Sequence, residues 1–539
     1  MTRSPGHQRI PVPLAWAAGF APLLLSLAPH SPLAHDEGYY QLQARWIAIS
    51  GHWLAPLWWG EPVFDRTIGV QWLIAAAQAL LGASSWVAHL PSLLAAAGCL
   101  LLTARVAEQL LGPGQGRLSA LLLALTPLWL NYAHQSSQDM PLLALELLGV
   151  WALLQAAPTH RGPWAALAGL WLGPAFLIKG FMAVIPVLAL VPLLWHRRWL
   201  LRDGRFWAGL LLGALPPALW LGLSLQVHGL AVVSGLWQKL LFLSQSDVYA
   251  AGPLYYLWNI PANTAPWCLA ALAGWWQLLR RPLPRDSRLV LLVYPLLLLV
   301  LLSSFRTKTP YYGLQLTPWI AMAAACGLQH WRERRSSTGW IAGFGAVLLV
   351  AAGLLAWPPP PLSALLAEAQ GLPARWLLVL AAASLGGSWL ALAWAAGPRQ
   401  RLLALLLGPW LALVLLVQGG LFSDRSPALR LALAPAAVQA QLRSLPIEAA
   451  AASPLSGEDH ATLILLALAT PHTPTQLLDP AAVAAGQRVW IRRTDLGSRP
   501  WHLLLQDSAL QGWVLAERLP QPGPGPGPER PDAAAGLVP

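Results

Sequence analysis

The sequence predicts an all-α polytopic membrane protein of about thirteen transmembrane helices, followed by a small C-terminal α/β domain. Three observations carry that prediction. Of the 539 residues, 56% are hydrophobic and only 10% are charged, where about 25% charged is usual in soluble domains. Apolar stretches long enough to cross a bilayer recur from residue 12 to about residue 421. Charge also divides the chain: residues 1–424 carry 25 Lys and Arg against 13 Asp and Glu, whereas 425–539 carry nine of each. A soluble chain of this composition would have to clothe its surface in apolar groups. Soluble, disordered and fibrous classes are excluded.

A helix needs about 20 apolar residues to cross the hydrocarbon core. Thirteen stretches are read as spans: 12–28, 86–110, 117–133, 140–157, 163–178, 180–195, 206–227, 254–279, 287–304, 311–329, 338–357, 374–396 and 401–421. The first is read as a retained span and not as a cleaved signal peptide, because a dozen spans follow it. Residues 67–82 are apolar too, but short. Gln71 and Gln78 are seven apart and fall on one face, which predicts an interfacial helix.

The distribution of basic residues supports that choice. With the N-terminus inside, 18 of the 25 basic residues before position 425 fall on the inner side and seven on the outer: Arg45, Arg66, Lys179, Lys239, Arg306, Lys308 and Arg375. Counting 67–82 as a span would send most arginine loops outside. The loop 29–85, the turns 134–139 and 305–310, and everything after 422 are therefore expected on the outer face.

The tail mixes a helical stretch near 434–444 with short apolar runs near 461–468 and 488–493, which predicts a small extracytoplasmic α/β domain over 425–519. Residues 520–539, opening PQPGPGPGPERPD, form a Pro/Gly-rich tail expected to be disordered. Cys99, Cys268 and Cys326 each lie in an apolar stretch, and no CxxC or Cys/His cluster exists. Neither a disulfide framework nor a zinc site is expected. The high pI comes from loop arginines, so no nucleic-acid partner is implied.

The residues that could do chemistry gather on the outer side. His35-Asp36-Glu37-Gly38-Tyr39-Tyr40 follows the first span, and a helix over 36–49 would set Asp36, Tyr40 and Gln43 on one face, with Tyr39, Leu42, Trp46 and Ile49 opposite. That predicts a helix lying on the membrane with its carboxylate turned from lipid, although a dipole-favoured acid at a helix N-terminus has the same pattern. Asp65-Arg66 places a carboxylate beside a guanidinium suited to gripping phosphate, or forms a plain surface ion pair. Asp139, in Gln138-Asp139-Met140-Pro141, opens a span on the same side, where helix capping alone would also place it. Lys179 in Ile178-Lys179-Gly180-Phe181, and Arg306 and Lys308 in Phe305-Arg306-Thr307-Lys308, are outer cations that could snorkel or bind an anion. Outer acids with cations at the same depth suggest a site for a lipid phosphate and a polar group, hence chemistry on a polyprenyl-phosphate-linked molecule.

These residues resemble the GT-C superfamily of lipid-linked sugar transferases, in particular the glycosyltransferase 39 type that includes protein O-mannosyltransferases and aminoarabinose lipid A transferases. The resemblance rests on Asp-Glu-x-x-Tyr at Asp36 to Tyr40, Gly51-His52-Trp53, Phe64-Asp65-Arg66, the span-opening Asp139, the Lys179-Gly180-Phe181 turn and Lys308-Thr309-Pro310-Tyr311-Tyr312. It covers about 1–330 well and the later spans by hydropathy. It implies catalytic roles for Asp36, Glu37 and Asp139, with Asp36 as general base on the acceptor hydroxyl or as the group that orients it for attack, and substrate-binding roles for Tyr40, Asp65, Arg66, Lys179, Arg306, Lys308 and Tyr311. It further implies a polyprenyl-phosphate sugar donor, a lipid, glycan or protein acceptor, and inversion at the sugar. Two departures stand out. The family's Glu-Lys is Asp65-Arg66 here. The stretch 246–253, where some members hold a divalent metal through His and Glu, has no His, so a divalent metal is left open by the resemblance but not supported by a His site, and no other cofactor is implied. A transporter or flippase for lipid-linked material, or a whole-glycan ligase, is the rival reading. A transporter needs ionisable groups at mid-membrane, and only Glu146 qualifies.

Overall fold

The computed structural model describes residues 12–24, 30–157, 162–245, 250–333, 338–359, 372–452 and 454–520. The predicted tail, apart from Pro520, lies outside the described residues, as do 246–249 in the stretch compared with metal-binding relatives. The chain divides into two compact units, Met1–Trp58 with Pro62–Ser426, and Trp59–Glu61 with Pro427–Pro539.

The first unit is helical. Seven stretches are long and apolar enough to cross a membrane: Ser85–Leu111, Trp164–His196, Gly204–His228, Arg285–Ser304, Gly339–Ala356, Arg375–Ala393 and Pro398–Gln418. Their outer sides stay uncovered: Leu94, Leu211, Leu296, Val350 and Leu380 are each half or more exposed. Only lipid can clothe such a surface. The other expected spans are shorter or interrupted. Residues 117–133 are two helices, Gln115–Ala124 and Pro127–Ala133, because Pro127 cannot continue the hydrogen-bond ladder from Thr126. The helices Asp139–Gln155 and Thr317–Glu333 have 17 residues each. The stretch Trp164–His196 is bent at Gly180.

Two expectations about the loop 29–85 change in detail. The helix expected over 36–49 is a π-turn, Ala34–Gly38, running into the α-helix Tyr39–Ser50. It does not lie on the membrane with one wet face. Every residue from Tyr40 to Ile47 is buried, since the helix Gly69–Leu81 packs along this one. The helix Gly69–Leu81 has 13 residues and is about 20 Å long at 1.5 Å per residue, too short to span. Its amides face inward: Gln71 is fully buried and its side chain lies 3.0 Å from that of Gln43. Leu73, Leu80 and Leu81 point out, the reverse of a soluble amphipathic helix and the arrangement an apolar surrounding selects.

The second unit is an α/β domain. Its strands, β1 (Ile447–Ala450), β2 (Leu477–Leu478), β3 (Arg488–Arg492), β4 (Trp501–Gln506) and β5 (Trp513–Arg518), form one mixed sheet in the order β2-β1-β3-β5-β4. Strands β1, β2 and β3 run parallel, and β5 pairs antiparallel with β3 and β4. The helix Gly457–Ala469 makes the β1-to-β2 crossover, with Ser456 as its N-cap. Val483, Val489, Ile491, Val514 and Ala516 make the core. The apolar run near 461–468 belongs to that helix and the run near 488–493 to strand β3.

Candidate active site

Chain geometry first brings the predicted residues together. Gly180 has φ +57°, a left-handed conformation that favours glycine. It stops the helix Leu172–Lys179 and leaves Lys179 at its end. Gly69 sits so close to this helix that a Cβ would lie 2.6 Å from the Leu177 carbonyl oxygen. The Arg66 loop and the Lys179 helix can therefore approach only with glycine there.

Asp36 lies on the π-turn and its side chain reaches solvent. The surrounding protein nevertheless crowds it. Burial first, and then the negative charge of Asp139, raise its pKa above the ordinary 3.8, while Arg66 opposes the rise. Asp36, Asp139 and Arg66 thus share one electrostatic neighbourhood.

Arg66 is clamped on Asp65, with Nη2 3.0 Å from Oδ2. Its guanidinium carbon lies 4.5 Å from the Tyr39 ring centre and 5.0 Å from that of Tyr40, inside cation–π range. Lys179 makes an ion pair with Asp139, whose other carboxylate oxygen accepts from Ser137 Oγ at 3.1 Å. The Lys179 ammonium is 4.6 Å from the Tyr311 ring centre. A small cavity opens here, lined among others by Asp139, Lys179, Tyr311 and Tyr312. Each cation therefore carries a carboxylate on one side and tyrosine faces on the other.

Glu37 differs from its neighbour. It is 1% exposed. Oε2 accepts from Leu33 N at 2.7 Å, and Oε1 accepts from Ser136 N at 3.2 Å and meets His89 Nε2 at 2.8 Å. His89 Nδ1 in turn lies 2.6 Å from the Ser85 carbonyl. Gln41 Nε2 donates to Ser136 Oγ at 2.7 Å. With its oxygens so occupied, Glu37 ties the acidic turn to the loop that leads into Asp139.

The expected cations at 306–308 behave differently again. Lys308 is 5% exposed and its ammonium donates to the carbonyls of Ser303 and Phe305, at the end of the helix Tyr294–Ser304. Satisfying orphan carbonyls at a helix C-terminus is an ordinary lysine role. Arg306 is exposed, and its carbonyl accepts from Ala251 N at 3.4 Å. Sequence reasoning missed His89 and Tyr132. His89 stands four residues after Ser85, one helical turn along, and that spacing is the only local signal. Tyr132 packs edge-on to Tyr311 with centroids 6.1 Å apart. Among the described residues, no three His, Cys, Asp or Glu side chains converge as metal ligands.

Residues 65–221, which include Arg66, Asp139 and Lys179, match the family model described as dolichyl-phosphate-mannose-protein mannosyltransferase. An undecaprenyl phosphate-alpha-4-amino-4-deoxy-L-arabinose arabinosyl transferase of Pseudomonas fluorescens is 29% identical over 353 residues, 62% of each chain. The chain thus spans less than two thirds of the length of the curated relatives it matches first. The crystal structure of ArnT from Cupriavidus metallidurans bound to undecaprenyl phosphate superposes with a TM-score of 0.76, covering 94% of this chain and 97% of that one at 18% identity. The chain has an ArnT-like fold. The apo state of the same ArnT gives 0.66 over the same shares. In this ArnT-type fold the acidic turn, the Asp139 loop and the Lys179 turn all precede residue 222.

Proposed function

We propose that the chain is an integral-membrane glycosyltransferase that moves a sugar from a polyprenyl-phosphate donor to an acceptor oxygen on the extracytoplasmic face, with inversion. The observation that carries this reading is the gathering of Asp36 with two ion pairs, Asp65–Arg66 and Asp139–Lys179, in one electrostatic neighbourhood. Displacement at an anomeric carbon needs a base at the nucleophile and positive charge at the leaving phosphate.

In the proposed step the acceptor oxygen attacks the anomeric carbon, and Asp36 takes the acceptor proton. The bond from the anomeric carbon to the phosphate oxygen breaks, and polyprenyl phosphate leaves with the bonding pair. Arg66 offers the guanidinium fork for that phosphate, with Tyr39 and Tyr40 holding the fork in place. Lys179 orients Asp139 and contributes charge from the other side. Glu37 positions the turn that bears Asp36. Lys308 caps a helix in this reading and leaves the phosphate to Arg66.

The transporter reading loses its best residue. Glu146 is fully buried and accepts a hydrogen bond from the Tyr294 hydroxyl, which is a packing arrangement within the helices.

Donor titration on the purified protein in nanodiscs tests the phosphate assignment. A charge-assisted contact is worth roughly 1.5–3 kcal/mol, about ten- to a hundredfold in affinity. Arg66→Ala should weaken the donor by that factor, and Arg66→Lys should recover much of it. Lys308→Gln should leave donor affinity within about threefold. Unchanged affinity in Arg66→Ala would reduce Arg66 to an interface anchor. The proposed sidedness puts the N-terminus in the cytoplasm and the C-terminal domain outside. Reporter fusions after Ser426 should be active only outside, and a cytoplasmic signal would reverse the topology.

A further inference from the structure

The membrane helix Pro398–Gln418 is followed by a segment that folds back onto the start of the outer loop. Ser31 and Asp424 form a parallel bridge across 393 residues of sequence. Ser31 N donates to the Ser423 carbonyl at 2.9 Å, and Arg425 N donates to the Ser31 carbonyl at 3.0 Å. Ser31 Oγ donates to Asp424 at 2.5 Å and accepts from Ser426 N at 2.8 Å. Three residues beyond Ser31 the turn carrying Asp36 and Glu37 begins.

This strap delivers one positive charge. The Arg425 side chain donates to the Asn131 amide oxygen, beside Tyr132, and its Nε is buried without a hydrogen-bond partner. Burial draws electrostatic stability from the guanidinium and the charge of Glu37 restores part of it. The contrast with its neighbours is plain. Arg66 has Asp65, Lys179 has Asp139 and Lys308 has two carbonyls. The hydrogen-bond partner of the Arg425 side chain is a neutral amide, so its charge is left to act on Glu37. Asn131 and Tyr132 open the corner that leads through Ser136, already bonded to Glu37 and Gln41, to Asp139. Arg425 thus bridges the two segments that bear the two acids.

We propose that Arg425 is a positioning residue of the active site, brought from the far end of the membrane unit to hold the Asp36 turn in register with the Asn131-to-Asp139 corner. The proposal rests on the reading of Asp36 as the base. It makes the exit of the last helix part of the catalytic apparatus.

The test uses the full chain in nanodiscs, with Arg425→Gln and Arg425→Lys compared for transfer kinetics and for amide hydrogen exchange. Misplacing a reacting group by about 1 Å can cost about a hundredfold, so Arg425→Gln should lower kcat roughly ten- to a hundredfold and leave donor KM within about twofold. Exchange should accelerate over 30–42 and 131–139 together. Arg425→Lys keeps the charge without the fork and should fall between. A donor KM that rises as far as kcat falls would make Arg425 a donor ligand and overturn the proposal. Wild-type kcat in both variants, or exchange accelerated only over 419–430, would overturn it as well. If the wild-type protein transfers no sugar, the proposed function is lost, and the exchange pattern alone decides whether Arg425 couples the two segments.

Discussion

Asp36→Asn should abolish sugar transfer while leaving the folded protein in the membrane at its normal level. The substitution keeps the shape and removes the base, whose loss costs about 10²–10⁴-fold in rate. Because the side chain reaches solvent, no cavity opens and no buried partner is orphaned. The pH dependence follows with a definite sign. Asp36 works as a base only when ionised, and burial together with the charge of Asp139 raises its pKa above 3.8. The acidic limb of kcat/KM should therefore lie above that value, with activity lost as the pH falls through it. Asp139→Asn removes a negative neighbour and should move the limb to lower pH in whatever activity remains. An Asp36→Asn protein within a few-fold of wild type would leave Asp36 a turn residue and make Asp139 the better base.

Glu37→Ala should be a folding lesion where Asp36→Asn is a chemical one. Truncation strips partners from Leu33 N, Ser136 N and His89 Nε2 at once, in a site 1% exposed. Breaking a buried charged network by removing one partner costs about 3–5 kcal/mol. The thermal midpoint of the detergent-solubilised protein should fall clearly, and the yield of monodisperse protein with it. Glu37→Gln retains part of the network and should lie between. If Glu37→Ala melted like wild type yet lost transfer, Glu37 would be a catalytic group and not a positioning one.

Much of this was legible in the chain because the signals are local. Hydropathy over about 20 residues identifies spans wherever the helix is unbroken, and the neutral tail betrays a second domain. Basic residues sort by side, and on that count Asp36, Asp65, Arg66, Asp139 and Lys179 are expected on one face. What stayed hidden depends on contacts made across the fold. Lys308 reads as a free outer cation until the end of the helix Tyr294–Ser304 is placed beside it. The helix Tyr39–Ser50 reads as amphipathic, but its polar face is covered by the buried amide of Gln71. Arg425 reads as part of the neutral tail, because nothing near residue 425 signals pairing with residue 31. Pro127 divides the apolar stretch 117–133, which composition alone reads as one span.

The most direct measurement is transfer itself, with purified wild-type protein in nanodiscs, polyprenyl-phosphate pentoses and hexoses radiolabelled in the sugar, and envelope lipid, glycan and peptide acceptors. The account predicts that label passes to one acceptor class with inverted anomeric configuration, and that free polyprenyl phosphate appears one for one. Label that stays on the donor across the whole panel, or intact labelled donor that crosses the bilayer without cleavage, would contradict it.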